Sequence, residues 1–246
     1  MARVVGWGCD KVAHDVEGVE EWGGMTEELR GPRSRTMGAI YLLYFLTAIF
    51  SELCLRGLSV TGAGVFTAGN VEAHAPLYQA GLGAGLLATA CYLALTALFY
   101  GLFKAVNRSV SLIAALMSVV GCAVQAFGSV FRLAPLAVWA GGKQGSALTV
   151  EQWRSLAVLF LRLHAQATHI ALVFFGLYCV LIGYLIFRSA FLPRVLAGLM
   201  ALAGLGWLTS LYPPLAGFLT PYREVVGFVA EASLMGWLLV KGVKMS

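Results

Sequence analysis

The sequence predicts an all-α integral membrane bundle of six transmembrane helices with both termini cytoplasmic, and three observations support this. The 246-residue chain is 59% hydrophobic and only 12% charged. That is too little polar surface for a water-solvated protein of this length, and ordinary for one facing acyl chains. Six apolar runs each reach the roughly 20 residues that cross the hydrocarbon. Lys and Arg alternate between sparse and dense from one inter-run loop to the next, as the positive-inside rule requires.

The first 36 residues form a polar tail containing "DVEGVEEWGGMTEELRGPRSR", with room for one short amphipathic helix. Its order of charged and apolar residues is wrong for a cleavable signal peptide, and Met25 is an alternative start. Seven of the twelve acids fall within the first 28 residues while the bases are spread among loops, so the net charge of +5 is no nucleic-acid signal. Residues 37–246 form the membrane domain.

Its apolar runs are residues 37–60, 76–103, 110–139, 150–189, 193–211 and 221–240. The fourth is longer than a bilayer is thick, so it must project, tilt or break. Arg30, Arg33, Arg35, Lys104, Arg108, Arg188, Arg194, Lys241 and Lys244 would lie inside, against Lys143, Arg154 and Arg223 outside. Nine against three places both termini in the cytoplasm. Trp139, Trp153, Tyr212 and Tyr222 suit the outer interface. In run two, "GLGAGLLATA" sets Gly81 and Gly85 four apart, a pattern for close helix contact within the chain or between copies. "TSLYPPLAGFLTPYRE" reads as a Pro-rich outer loop that ends helix five and starts helix six.

Polar residues inside the runs gather toward the outer side. Glu52 and Arg56 are four apart, in the order that suits an ion pair. Gln125, Gly128, Ser129 and Arg132 share one stripe. Arg162, Gln166 and His169 share another, and His164 points elsewhere. Glu224 and Glu231 open the last run. A charge facing mid-bilayer lipid costs about 2.5–3.5 kcal/mol on insertion scales. The stripes can therefore be helix ends snorkelling into water, a structural ion-pair network, or the lining of an outward-opening cavity. The last reading names Glu52, Arg56, Gln125, Arg132, Arg162, Gln166, His169 and Glu231 as ligand-binding.

The five cysteines include no C-x-x-C, and His164 and His169 sit about 140° apart on a helix. No metal site or cofactor is expected from them, nor from Glu72 with His74. Ser51 or Ser129 is a nominal hydrolase nucleophile, without a G-x-S-x-G elbow. No catalytic residue is assigned.

"ALVFFGLYCVLIGYLIFRSAFLPR" (171–194), "AEASLMGWLLVKGVK" (230–244) and "MGAIYLLYFLTAIFSE" (37–52) resemble a bacterial domain-of-unknown-function family of six-helix integral membrane proteins. Its fourth helix reads like "LVFFGLHLLLLGYLIYRSGFLPR" and its last ends in "WLLVKGV". Tyr178 stands where that family often has His, and Glu231 follows Ala230 instead of Gly. The resemblance implies the membrane fold and supplies no activity.

The expected function is non-enzymatic. The chain would sit in the bacterial cytoplasmic (inner) membrane as a multi-pass protein, with the lipid bilayer and other membrane proteins as partners. It would pack as an accessory subunit or bind a small apolar or amphipathic ligand. The first alternative is a ligand or transport site for an anion or lipid headgroup at the eight polar residues. The second is an intramembrane hydrolase.

Overall fold

A computed structural model describes residues 30–59, 71, 73–137 and 149–243. The expectations for Met25, Glu72, Trp139, Lys143, Lys244 and the short tail helix lie outside them. Six long helices follow in order: α1 (Arg30–Ser59), α2 (Ala75–Phe103), α3 (Arg108–Ser129), α4 (Val150–Arg188), α5 (Arg194–Leu208) and α6 (Pro213–Val240). There is no strand among the described residues. The N-terminal boundary moves slightly, because α1 already includes residues 30–36 of the expected tail.

Local chemistry sets the helix ends. Asn107 caps α3, its side chain accepting from the Val110 N–H at 3.0 Å. Thr149 and Gln152 form a reciprocal capping box at the start of α4. Pro193 is the N-cap of α5 after a short turn, as the sequence predicts. α3 passes into a 3-10 turn at Val130–Leu133 just before Pro135. The proline has no N–H to give the Phe131 carbonyl and crowds it sterically. The Ala134 N–H takes that carbonyl instead, which tightens the turn.

Each helix packs chiefly on its two chain neighbours, and α6 closes on α1, so the six make a ring. Matched contacts show that neighbours run antiparallel. A Cβ on Gly81 would meet Cys54 of α1 and one on Gly85 would meet Ser51, so this glycine pair serves packing within the chain. Gly121 opposes Phe175 and Gly128 opposes Ala167 between α3 and α4, and Gly38 of α1 meets Leu239 of α6. The tightest crossing joins α4 to α5, where a Cβ on Gly204 would lie 2.6 Å from the Gly176 carbonyl oxygen.

Five helices are long and apolar enough to cross a membrane, and large side chains such as Leu46, Leu53 and Val195 are exposed on the outside of the ring. This pattern marks a multi-pass membrane protein. α6 is not one of these five and carries Arg223, Glu224 and Glu231. α4 does not break. Its 39 residues extend about 58 Å at ~1.5 Å per residue, and its first turns rest on α3's end, with Phe160 stacked on Phe131 and Ala157 against Ala134. Call the end of the ring with Glu52 and Arg132 upper, and the end with Lys104, Arg188, Arg194 and Lys241 lower. The lower interior is filled by Phe99, Phe103, Leu185, Ile186, Met200 and Leu238. Between α2 and α3 the hydroxyls of Thr96 and Ser118 meet at 2.6 Å.

Replacing Gly204 by Val should lower thermal stability in detergent by about 2 kcal/mol or more, since the added group meets backbone on two sides. Gly198→Ala, with nothing within 4 Å of the new Cβ, should be neutral or slightly stabilising. Equal melting shifts for the two would contradict the α4–α5 crossing.

Candidate functional site

A line of polar contacts crosses the upper end from outside to inside. Arg56 Nε lies 2.7 Å from Glu52 Oε2, and Arg132 Nη2 donates to Glu52 Oε1 at 2.7 Å. Arg132 Nε donates to His164 Nε2 at 2.7 Å. A guanidinium can only donate, so Nε2 accepts and the ring proton sits on Nδ1. That proton goes to the Gly128 carbonyl at 3.0 Å. His164 is therefore a neutral imidazole with both nitrogens engaged. Side-chain exposure falls along the line, from 73% at Arg56 through 44% at Glu52 to 13% at Arg132. Thus only the outermost charge is well solvated.

Arg132 is also held through its backbone. Its carbonyl accepts from the Tyr78 hydroxyl of α2 at 2.9 Å. In an uninterrupted α-helix that carbonyl would serve the N–H four residues on. The turn before Pro135 coincides with its presentation to α2. Gly128 has its own steric reason. A Cβ there would lie 2.7 Å from that of Ala167, so glycine lets α3 come close enough for the His164 bond.

Below this line the ring encloses a cavity of about 290 Å³ to which all six helices contribute. Its upper wall is polar, with Ser51, Glu52, Gln125, Ser129, Arg132 and Thr168. Its lower wall is aromatic, with Tyr44, Tyr92, Phe175 and Trp207 around the carboxylate of Glu231. The rings contact one another, Tyr44–Tyr92 at 4.9 Å and Tyr92–Phe175 at 5.3 Å between centroids. Glu231 is hydrogen-bonded to Tyr41. Among the described residues both ion pairs belong to Glu52, and Glu231 has none.

The structure divides the eight predicted residues. Glu52, Gln125, Arg132 and Glu231 line the cavity, and Arg56 joins it through Glu52. Arg162 is exposed and lines no part of it. Gln166 and His169 line a separate crevice with Ser210, Gly217 and Thr220. The arrangement of Arg162, Gln166 and His169 around a shared enclosure is thereby corrected. α4 turns its other face inward, and His164 is the residue that enters the cluster.

Glu231 is also not where the sequence reading placed it. α6 begins at Pro213 rather than at residue 221, with Pro221 inside the helix, so "TSLYPPLAGFLTPYRE" is mostly helix instead of loop. Glu231 is thus the nineteenth of 28 helical residues, not an early one. Phe228 of α6 pairs with Phe45 of α1, which puts Glu231 about three turns, roughly 15 Å, below Glu52. It is the acid of the deep wall and no partner for the arginines.

Sequence reasoning missed His164, Tyr78 and the four rings. His164 had a legible signal. Ala157, His164, Ala171, Tyr178 and Leu185 recur every seven residues, and all are buried. The hydroxyl of Ser129 donates to the Gln125 carbonyl at 2.9 Å, and neither nitrogen of His164 is aimed at it or at Ser51. No group of three or more His, Cys, Asp or Glu is placed to hold a metal among the described residues.

Residues 36–242 match the family described as Domain of unknown function (DUF4386). An uncharacterized protein of Archaeoglobus fulgidus is 32% identical over 77 residues, which is 30% of this chain and 45% of that protein's length. No solved structure matches the chain.

Arg132→Met should destabilise the fold by about 1–3 kcal/mol, because it leaves Glu52 and His164 short of a donor in a half-dry site. Pairing it with Glu52→Gln should recover part of that loss, since the carboxylate left with the exposed Arg56 as its one ion-pair partner is then gone. Strictly additive melting shifts in this double-mutant cycle would show that the two side chains are not coupled.

Proposed function

The chain belongs to the DUF4386 family, whose description states no activity, and from that premise we propose that it is a non-enzymatic membrane-embedded binding protein that takes a small amphipathic molecule into the ring. The observation that carries this reading is the two-walled cavity. Hydrogen-bonding groups at its mouth would orient a polar end, and rings at its floor would cover an apolar one. Its size, about 290 Å³, suits a small ligand.

In this reading all six helices span the bilayer. The even, antiparallel ring brings the start of α1 and the end of α6 to the lower end, where Lys104, Arg188, Arg194 and Lys241 gather. The positive-inside rule then puts that end in the cytoplasm and opens the cavity outward. Of the three charges of α6, Glu231 lines the cavity and Arg223 is buried, donating to Ser210 at 2.9 Å, while Glu224 is exposed in the upper half of the helix, where a carboxylate can reach the outer interface.

The alternative, a site for an anion or lipid headgroup, has less support. Arg132 is the one basic side chain of the lining, and it is already committed to Glu52 and His164. The accessory-subunit reading draws on the outward apolar side chains, which acyl chains satisfy equally well.

Water access to the cavity tests the reading. In a cysteine-free background, Gln125→Cys and Thr168→Cys should react with a charged, membrane-impermeant thiol reagent. Leu116→Cys, on the exposed apolar face of α3, should not. Unreactive cysteines at both cavity positions would overturn an outward-opening site.

A further inference from the structure

The charges of the cavity are unequal. Among the described residues two carboxylates, Glu52 and Glu231, line it against one guanidinium, Arg132. Arg132 and Arg56 both bind Glu52, so the upper acid is answered. Glu231 is not. It has a hydroxyl partner in Tyr41 and no cation within ion-pair distance among the described residues. Arg223, on the same helix, lies over the indole of Trp207 at 5.9 Å from the ring centroid, donates to Ser210 and is no part of the lining.

Around that unanswered carboxylate stand Tyr44, Tyr92, Phe175 and Trp207. Aromatic faces carry negative quadrupole density and attract cations, most strongly where water is excluded. An acid enclosed by such faces is a recurring way to recognise ammonium groups, and it is unsuited to anions.

We propose that the cavity selects a small organic cation, an amine or quaternary ammonium with an apolar substituent, its charge held between Glu231 and the rings of Tyr44, Tyr92 and Trp207. This rests on the reading of the cavity as a binding site for an amphipathic molecule and adds the sign of the ligand's charge. The Glu52–Arg132 pair then acts at the mouth. There Glu52 holds both guanidiniums, so the carboxylate left open to a cation is the one on the lower wall.

Three probes of similar shape separate the possibilities: phenyltrimethylammonium, its uncharged isostere tert-butylbenzene, and phenylphosphonate. Binding to the full chain in zwitterionic nanodiscs is read by calorimetry and by the shift in melting temperature. Phenyltrimethylammonium should bind at least about tenfold more tightly than either other probe. Glu231→Gln should remove most of that preference while leaving tert-butylbenzene unchanged. Equal binding of the cation and its isostere, or an equal loss of both on Glu231→Gln, would overturn the cation proposal and leave the amphipathic site standing. Tightest binding by phenylphosphonate would replace it with the anion reading. Binding of none would bring down the site itself. The comparison among probes in the native chain needs no variant, so a poorly folding Glu231→Gln does not remove the test.

Discussion

Arg132 is the residue on which the upper half of this ring depends. It reaches α1 through Glu52, α4 through His164 and α2 through its carbonyl and Tyr78, while sitting in the 3-10 turn that continues α3. Four of six helices are therefore registered by one residue. In an apolar surrounding, each of these bonds is made against few competing partners, which favours one arrangement of the helices over slipped alternatives. The geometry traces to Pro135. Where the α ladder tightens ahead of that ring, the Arg132 carbonyl meets Tyr78 as the side chain reaches inward.

A ring of six helices has an interior too wide for its walls to meet, and the chain answers this differently at each end. Small residues draw neighbours together around the circumference, Gly81 and Gly85 against α1 and Gly204 against Gly176. Large side chains fill the lower middle, where Phe99 stacks on Phe103 and Phe103 on Phe191. Above Tyr92 this filling stops. The side chains there are shorter or polar (Ser51, Thr89, Cys122, Gln125, Ser129) and they line the cavity rather than close it. The void follows from side-chain volume along the ring axis, so filling it from one wall is a matter of a single large substitution.

The run lengths and the charge alternation made the helical architecture readable before any coordinates. They carried α2, α4 and α5 to within about three residues, because an apolar span must close its own backbone hydrogen bonds, while α1 begins seven residues earlier than its apolar run and α3 gives way to a 3-10 turn at Val130. The start of α6 was unreadable for a local reason. Pro213 and Pro214 occupy the first turn, where a missing N–H costs nothing, while Pro221, placed inside the helix, looks like a start. That eight-residue shift moved Glu231 from the mouth to the floor. The choice of face on α4 failed for another reason. The stripe with most polar residues was taken to face inward, but such residues can also lie on the outer face of the ring, and Arg162 and Gln166 are exposed there. The small residues spaced at sevens, Ala157 and Ala171, mark the packed face, and His164 lies between them. The pairing of Glu52 with Arg56 and the stripe that delivers Gln125 and Arg132 were legible because both depend only on helical spacing.

The two acids of the cavity differ in surroundings, and that difference sets what each can do. Glu52 lies near water, holds two guanidiniums and has its charge answered, so its contribution is to position Arg132. Glu231 lies about 15 Å deeper, among rings and one hydroxyl, with no guanidinium in ion-pair contact among the described residues. A charge kept at that depth is costly, and a fold that needed only stability would fill the place with another apolar side chain. The neighbours of Glu231 are Tyr44 and Tyr92, which contact each other and leave the carboxylate on the open side of the cavity. An acid left open inside a packed ring, beside a wall already satisfied by its own ion pairs, is the asymmetry a bound cation would complete.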